Sequence, residues 1–190
     1  PFELESGREI IVGNNPVVSI FKNNGYKTFY IAEDEYFQHN FKSSYYDFYN
    51  ITNDEIAFYS TQDLIKKDVF ADLKKCIVSE KSNQQSKFYF VEKLLPHHIH
   101  YDGTGVENER KVYLNKIEEV NNWLKEVIAF IEKNDPNSII IISADHGGWV
   151  GIENLHEMFT TKDKKLIASI YNNLLTINWN SEDYSEYDSK

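Results

Sequence analysis

The feature that most constrains the fold is a long amphipathic segment followed closely by an apolar strand. Between residues 108 and 133, apolar side chains recur every three or four positions, which predicts one α-helix. At 1.5 Å per residue this helix is about 39 Å long. Residues 138–142 then form a β-branched, apolar run that is typical of a strand buried on both faces of a parallel sheet. The helix is therefore predicted to be a crossover between two parallel strands.

Other strand and helix signals alternate along the chain. Asn14 or Asn15 can cap a helix that has Pro16 at its first position and ends before Gly25. The further predicted strands lie at 27–32, 56–59, 87–91 and 174–177, and the further helices at 62–78, capped by Thr61, and 164–171. This alternation predicts an α/β fold with three αβα layers and a mainly parallel sheet. We expect one domain over residues 1–180, followed by an acidic tail or linker at 181–190.

Composition excludes several classes of protein. The 190 residues include 20 Lys and Arg against 30 Asp and Glu, and the net charge of −10 opposes nucleic acids and anionic membrane surfaces. A single cysteine, Cys76, excludes an internal disulfide and a cysteine-based zinc site. No apolar run approaches the roughly 20 residues of a membrane-spanning helix. An acidic protein that acts on an anionic substrate needs a metal to supply positive charge locally.

One candidate site follows the apolar strand directly. Asp145-His146-Gly147-Gly148 lies where ligands bind in open α/β sheets, at the carboxyl ends of the strands. An adjacent carboxylate and imidazole suit Zn²⁺ or Mn²⁺. The two glycines allow the sharp turn that directs both side chains into one site. Taken alone, the dipeptide is explained better as a turn with a solvent-facing histidine.

The second candidate is a histidine-rich loop after the strand at 87–91. His97, His98 and His100 could bind a metal or contact a phosphoryl oxygen, although each one alone is more simply a surface histidine. Parallel strands present their carboxyl ends at the same edge of a sheet. We therefore expect His98 and His146 to lie within about 10 Å, close enough to share one ligand.

These segments together resemble one family. A strand, the loop PHHIHYDGTG, a long helix, an apolar strand and SADHGG occur in the order found in the C-terminal half of the sulfatase-like, alkaline phosphatase superfamily. The opening NNPVVSIFKNNGYKTFYI is similar to that family's segment of Asn, helix, Lys-x-x-Gly-Tyr-x-Thr and strand. The resemblance spans residues 14–178. It is greatest to the phosphoglycerol and phosphoethanolamine transferases, which include lipoteichoic acid synthases.

The resemblance implies roles for particular residues. Asp145 and His146 match the family's paired ligands for a divalent metal, Mn or Zn. His98 stands three residues before Tyr101, as the family's loop histidine stands before its aromatic residue, and would contact the substrate phosphate. His97 is the alternative, because the proline expected between the histidine and the aromatic residue is replaced here.

The family's acidic metal ligand and its Thr or Ser nucleophile precede the segment that matches residues 14–32. Residues 1–13 offer no place for them. We therefore expect either an excised C-terminal portion or a degenerate relative, which binds metal weakly and is inactive as an isolated chain.

The implied function of the whole enzyme is metal-dependent phosphotransfer or hydrolysis. The expected substrate is a phosphate or sulfate ester, such as a lipid head group or glycan. The transferred group would be a phospho-alcohol delivered to a surface polysaccharide or lipid, on the extracytoplasmic face of a bacterial membrane. Two alternatives remain: a sulfatase or phosphodiesterase of the same fold, and a non-catalytic interaction domain.

Weaker candidates have simpler structural explanations. Glu153, His156 and Glu157 could support the metal ligands, but a solvated segment explains them better. Cys76 and His39 are predicted to be structural, and residues 102–105 are predicted to form a turn.

Overall fold

The computed structural model describes residues 10–13, 15–38, 45–57 and 65–178 and divides the chain into two compact units, Pro1–Lys93 and Leu94–Lys190. The elements of the first unit are α1 (Pro16–Asn23), β1 (Lys27–Ala32), β2 (Phe48–Tyr49), α2 (Asn53–Ala57), α3 (Val69–Ser79) and β3 (Lys87–Glu92). Those of the second are α4 (Val106–Asn134), β4 (Ile140–Ser143), α5 (Leu155–Thr160), α6 (Lys164–Tyr171) and β5 (Leu175–Asn178). Among the described helices, none combines the length and the apolar character needed to cross a bilayer.

A parallel sheet organises the first unit. Strand β1 lies between β2 and β3 and pairs in parallel with both, so that Phe29 stands opposite Phe48 on one side and Tyr89 on the other. Five of the six β1 residues are buried. A hydrophobic cluster around this strand consists of Val12, Val18, Tyr30, Ala32, Tyr46 and Ile51. The predicted strands at 27–32 and 87–91 are thus confirmed as neighbours in one parallel sheet.

Local capping signals explain the first helix. The Asn15 side chain accepts hydrogen bonds from the backbone N–H groups of Val17 at 2.9 Å and Val18 at 3.4 Å, and Pro16 occupies the first helical position. These bonds satisfy N–H groups that have no partner within the helix. Gly25 follows the helix with φ of 80°, a conformation that favours glycine. The predicted helix–turn–strand unit is confirmed.

Two predictions in the first unit are wrong. The helix predicted at 62–78 begins later, at Val69, because Asp68 is its N-cap and accepts a hydrogen bond from the Ala71 N–H at 2.9 Å. The proposed cap, Thr61, lies outside the described residues. Within the described part of 56–59, residues 56 and 57 belong to helix α2 rather than to a strand.

A capping box accounts for this second error. The Glu55 carboxylate accepts from the Thr52 N–H at 2.8 Å, while the Thr52 hydroxyl accepts from the Glu55 N–H at 3.3 Å. This reciprocal pair starts a helix at the sequence Thr-Asn-Asp-Glu.

The second unit contains the long helix and an antiparallel strand pair. Helix α4 extends two residues before and one residue beyond the predicted 108–133 segment, and helix α6 coincides with the prediction at 164–171. Strand β4 pairs with β5 in antiparallel orientation, with Ile141 opposite Ile177. The α/β class and the mainly parallel strand pairing are confirmed.

The predicted burial of strand 138–142 on both faces is wrong. Side chains alternate along β4, and Ile139 and Ile141 are 59% and 63% exposed. The paired β5 is exposed along its whole length. Successive side chains of a strand point to opposite faces, and only one face of β4 is partly covered, so every second side chain is half-buried. The strand that is buried on both faces is β1, which has a parallel neighbour on each side.

Helix α4 contacts the rest of its unit at three levels. The Glu109 carboxylate accepts a hydrogen bond from the Gly151 N–H at 2.7 Å, and Tyr113 packs against Gly148. Near the other end, the Asn178 side chain donates to Glu132 at 3.1 Å. The predicted apolar face is the one turned inward, since Val120 and Val127 are buried. The helix therefore contacts the loop after β4 at one end and the last residue of β5 near the other.

Candidate active site

The histidine loop brings three imidazoles together. His97, His98 and His100 each offer a ring nitrogen, and these three atoms lie within 4.8 Å of one another. The His97 backbone has φ of 56°, which is uncommon for a residue with a Cβ and turns the loop sharply. The Nδ1 of His97 lies 3.2 Å from the carbonyl oxygen of His98. Because a carbonyl only accepts, Nδ1 is the donor in this contact, and Nε2 is the ring nitrogen left for another ligand.

The Asp145 and His146 side chains converge in the neighbouring loop. Asp145 Oδ1 accepts from the His146 backbone N–H at 3.0 Å, and Asp145 Oδ2 lies 3.6 Å from His146 Nε2. The other ring nitrogen, Nδ1, donates to the Gly147 carbonyl at 2.8 Å. This bond leaves Nε2 as the ring nitrogen that lies beside a carboxylate oxygen. The loop thus presents one oxygen and one nitrogen donor side by side.

The end of helix α6 holds this loop in place. The Gly147 N–H donates to the Ile170 carbonyl at 2.7 Å, and the Trp149 N–H donates to the Ser169 carbonyl at 3.1 Å. Carbonyls in the last turn of a helix have no partner within the helix, so these bonds satisfy them. A Cβ at Gly147 would lie 2.2 Å from the Ser169 oxygen. Only glycine fits this close approach of two backbones.

Trp149 joins the two loops. Its indole is stacked on His98 with ring centroids 3.8 Å apart and on His146 at 5.2 Å. The His98 and His146 rings are 5.9 Å apart, and the Ile99 N–H donates to the Gly148 carbonyl at 2.9 Å. The predicted meeting of the loops is confirmed, within the 10 Å limit. The expected reason is wrong, because β3 and β4 lie in separate sheets and α4 is therefore not a crossover between two parallel strands of one sheet. Direct contacts between the two loops make the junction.

A cavity of about 290 Å³ adjoins the histidine loop. Its lining combines the loop residues His97, His98, Ile99, His100 and Asp102 with Glu109, Val112 and Lys116 of helix α4. Glu109 is only 3% exposed, and its Oε1 is buried without a hydrogen-bond partner among the described residues. The cavity therefore contains both cationic and anionic groups, together with imidazole nitrogens.

His98 is neutral at physiological pH. Burial, with further contributions from His97, His100, His146 and Lys116, lowers its pKa from 6.5 to about 4. A neutral imidazole offers one N–H and one lone pair, which suits either hydrogen bonding to an anion or metal ligation. The half-buried His98 ring contacts both His146 and Trp149 in the neighbouring loop, whereas His97 is exposed.

The weaker sequence candidates have structural roles or lie elsewhere. Glu157 accepts from the Glu153 N–H at 2.8 Å at the start of α5, and His156 is exposed on the same helix. Cys76 is 5% exposed on α3, and burial raises its pKa to about 11, as expected for a core thiol. His39 lies outside the described residues. At the predicted turn, Asp102 accepts from the Thr104 N–H at 2.9 Å.

Three residues near the candidate site were not identified from the sequence. Glu109 and Lys116 lie seven residues apart, which is two helical turns, so both face the cavity with Val112 between them. This spacing could have identified two charged residues on the inward face of α4, in line with the buried Val120. Trp149 directly follows the glycine pair, and its adjacency to Asp145–His146 was the available signal.

Comparison with known proteins identifies the family. The family model described as Sulfatase matches residues 8–168, which is most of the chain, and the chain belongs to this family. A search of curated proteins gave no match. The fold is accordingly a partial α/β, alkaline phosphatase-like one, and the family indicates a sulfatase-like hydrolase or transferase that acts on sulfate or phosphate esters. Enzymes of this family typically depend on a metal.

The donor atoms of the Asp145–His146 loop fit a divalent metal. Ligand bonds of about 2.0–2.2 Å place two ligand atoms about 3–3.4 Å apart. The observed separation of 3.6 Å between Asp145 Oδ2 and His146 Nε2 is close to this range. The Asp145 side chain is 87% exposed and can adjust. The hydrogen bond at His146 Nδ1 is the kind that orients metal-binding histidines.

Proposed function

We propose that the chain carries the C-terminal part of the active site of a metal-dependent, sulfatase-like phosphotransferase. The observation that supports this most strongly is the contact between its two loops. A carboxylate oxygen and an imidazole nitrogen converge at Asp145 and His146, and the neutral ring of His98 lies 5.9 Å from that of His146. Metal ligands and a group for the substrate anion are thus adjacent.

Each residue has a distinct part in this proposal. Asp145 and His146 hold the metal, which when bound lowers the pKa of a nucleophile and offsets negative charge on the transferring group. His98 donates its N–H to a non-bridging oxygen of the ester, and stacking on Trp149 fixes its ring orientation. Lys116 lines the adjoining cavity and supplies positive charge for the anionic ester in an otherwise acidic protein.

The proposed substrate is a phosphate ester whose phospho-alcohol group passes to a surface lipid or glycan. The histidine loop with its following aromatic residue, together with Asp-His-Gly, favours this branch of the family by resemblance. A sulfatase is the second candidate because the family model carries that description. The single cysteine, Cys76, is buried and is not part of the Cys-x-Pro-x-Arg motif that becomes formylglycine in sulfatases.

Metal titration tests the proposal. Calorimetric titration of Mn²⁺ into the chain should give weak binding, since Asp145 and His146 supply only part of a ligand set. Asp145→Asn should lower this affinity at least about tenfold, because even the loss of an outer-shell partner costs about 10–100-fold. Glu118→Gln, an exposed substitution on α4, is the matched control and should change nothing. Mn²⁺ binding that Asp145→Asn leaves unchanged would contradict the proposed ligands.

Anion binding separates the substrate classes. With Mn²⁺ present, the Trp149 indole next to His98 should report glycerol phosphate binding as a change in fluorescence. His98→Gln should weaken that response, while Lys162→Gln, an exposed site outside the loops, should not. A response to sulfate alone would favour the sulfatase. A chain that binds neither metal nor anion would favour the non-catalytic interaction domain.

A further inference from the structure

We propose that His97, His98 and His100 form a second metal site, for a zinc-class divalent ion, which is distinct from the Asp145–His146 pair. The inference does not depend on the proposed phosphotransferase activity. It gives a role to His97 and His100, which that activity does not use, and it adds metal ligation by one ring nitrogen of His98 to the hydrogen bond proposed for the other.

The separation of the three nitrogens fits one metal ion. In a tetrahedral site with Zn–N bonds of about 2.0–2.1 Å, ligand nitrogens lie about 3.3 Å apart. The three available nitrogens already lie within 4.8 Å of one another, so closure needs a contraction of about 1.5 Å at most. His97 and His100 are exposed and can make this adjustment by side-chain rotation, while Trp149 holds His98 in place.

The loop is arranged before any ion binds. The ring centroids are 4.2 Å apart for His97 and His98 and 4.6 Å apart for His98 and His100. The His97 backbone holds a positive φ of 56°, a conformation that is uncommon for a residue with a Cβ. Its Nδ1–H bond to the His98 carbonyl leaves Nε2 able to bind a metal.

The surrounding charges also favour a cation. Three neutral imidazoles leave the full double charge of the ion uncompensated. Asp102 and Glu109 line the same cavity, and Glu109 is buried with one carboxylate oxygen that lacks a partner among the described residues. Lys116 is the one opposing cation in that lining. The two carboxylates would offset part of the charge of a bound ion.

Ligand chemistry distinguishes the two sites. Three imidazoles and no carboxylate select Zn²⁺ or Co²⁺ over Mn²⁺, whereas a carboxylate with one imidazole tolerates Mn²⁺. Binding of Mn²⁺ should therefore respond to Asp145→Asn and not to the histidine substitutions, whereas the tight component of Zn²⁺ binding should respond to the histidine substitutions. This difference separates failure of the present inference from failure of the proposed function.

The test is titration of the full chain with Zn²⁺ and with Co²⁺. The double variant His97→Asn/His100→Asn removes two ligands, and asparagine tolerates the positive φ at position 97. We expect this variant to lose at least about tenfold in Zn²⁺ affinity, given that outer-shell losses alone cost about 10–100-fold. Its Mn²⁺ affinity should not change. His156→Asn, on the exposed face of α5, is the matched control and should bind Zn²⁺ like the parent.

Co²⁺ gives a readout of the ligand set. A four-coordinate site should produce strong visible absorption that is lost in the double variant and retained in Asp145→Asn. If circular dichroism shows that the double variant folds poorly, the single variant His100→Asn, at an exposed position, replaces it in both titrations. The inference is overturned if the parent chain binds no Zn²⁺. It is equally overturned if the histidine variants bind Zn²⁺ like the parent. The same holds if Asp145→Asn abolishes Zn²⁺ binding and the histidine variants retain it.

Discussion

Adding one methyl group at each of two adjacent glycines should have different and separable effects. Gly147 and Gly148 both lack a positive φ, so alanine at either position is strained only by its neighbours. At Gly147 the added Cβ lies 2.2 Å from the backbone oxygen of Ser169 and 3.0 Å from that of Asn172. At Gly148 it lies 2.3–2.7 Å from ring atoms of the Tyr113 side chain. A backbone cannot move aside as a side chain can.

The magnitudes follow from what each clash breaks. Gly147→Ala must push the loop away from helix α6, which breaks the hydrogen bonds to Ile170 and Ser169. Two backbone hydrogen bonds at about 1 kcal/mol each and overpacking of about 1–3 kcal/mol predict a loss of about 3–5 kcal/mol in the free energy of unfolding. Gly148→Ala should cost only the overpacking, about 1–3 kcal/mol.

A double-mutant cycle measured by urea unfolding tests this reasoning. Tyr113→Ala removes the ring that opposes position 148, so Gly148→Ala should cost less than about 0.5 kcal/mol in that background. The same background should not rescue Gly147→Ala, whose clash is with backbone. Equal costs for the two alanines, or rescue of both by Tyr113→Ala, would refute the arrangement of this loop against helix α6.

Three further results are expected. In the metal-free chain, Trp149→Ala should raise the pKa of His98 from about 4 toward 6.5 by NMR titration, because burial is the main cause of the low value; Trp149→Phe should raise it less. Asn15→Ala should lower the free energy of unfolding by about 1 kcal/mol through loss of the cap. The hydrogen bond from Lys27, followed by that from Asn83, lowers the pKa of Glu80. The Glu80 carboxylate therefore stabilises the folded chain fully above the ordinary carboxyl pKa, and this stabilisation is lost as pH falls through the lowered pKa of the folded state. Glu80→Gln should thus make the free energy of unfolding less sensitive to acid.

The parts of the fold that the sequence predicted well depend on local signals. Asn15, Pro16 and Gly25 act within one helix and its turn, so their positions alone define α1. The long helix α4 has a sustained apolar period, which tertiary contacts do not override. The capping box at Thr52–Glu55 is an equally local signal. It starts helix α2 in the segment where the apolar pattern alone predicted a strand at 56–59.

The burial of strand 138–142 could not be predicted because it depends on pairing partners far along the chain. An apolar β-branched run fits a central parallel strand and an antiparallel strand equally well, and only the pairing with Leu175–Asn178 decides between them. The same limit applies to the site. The sequence placed His98 near His146, but the stacking of Trp149 between them depends on backbone turns that the residue pattern does not specify.

Paramagnetic relaxation by Mn²⁺ tests most directly whether the two loops form one metal-dependent site. As Mn²⁺ is added, the imidazole proton signals of His146 and then His98 should broaden before that of the exposed His156, since broadening falls steeply with distance from the ion. Asp145→Asn should abolish the preferential broadening of His146. Broadening that reaches His156 first, or that persists unchanged in Asp145→Asn, would contradict the assignment of Asp145 and His146 as the metal ligands.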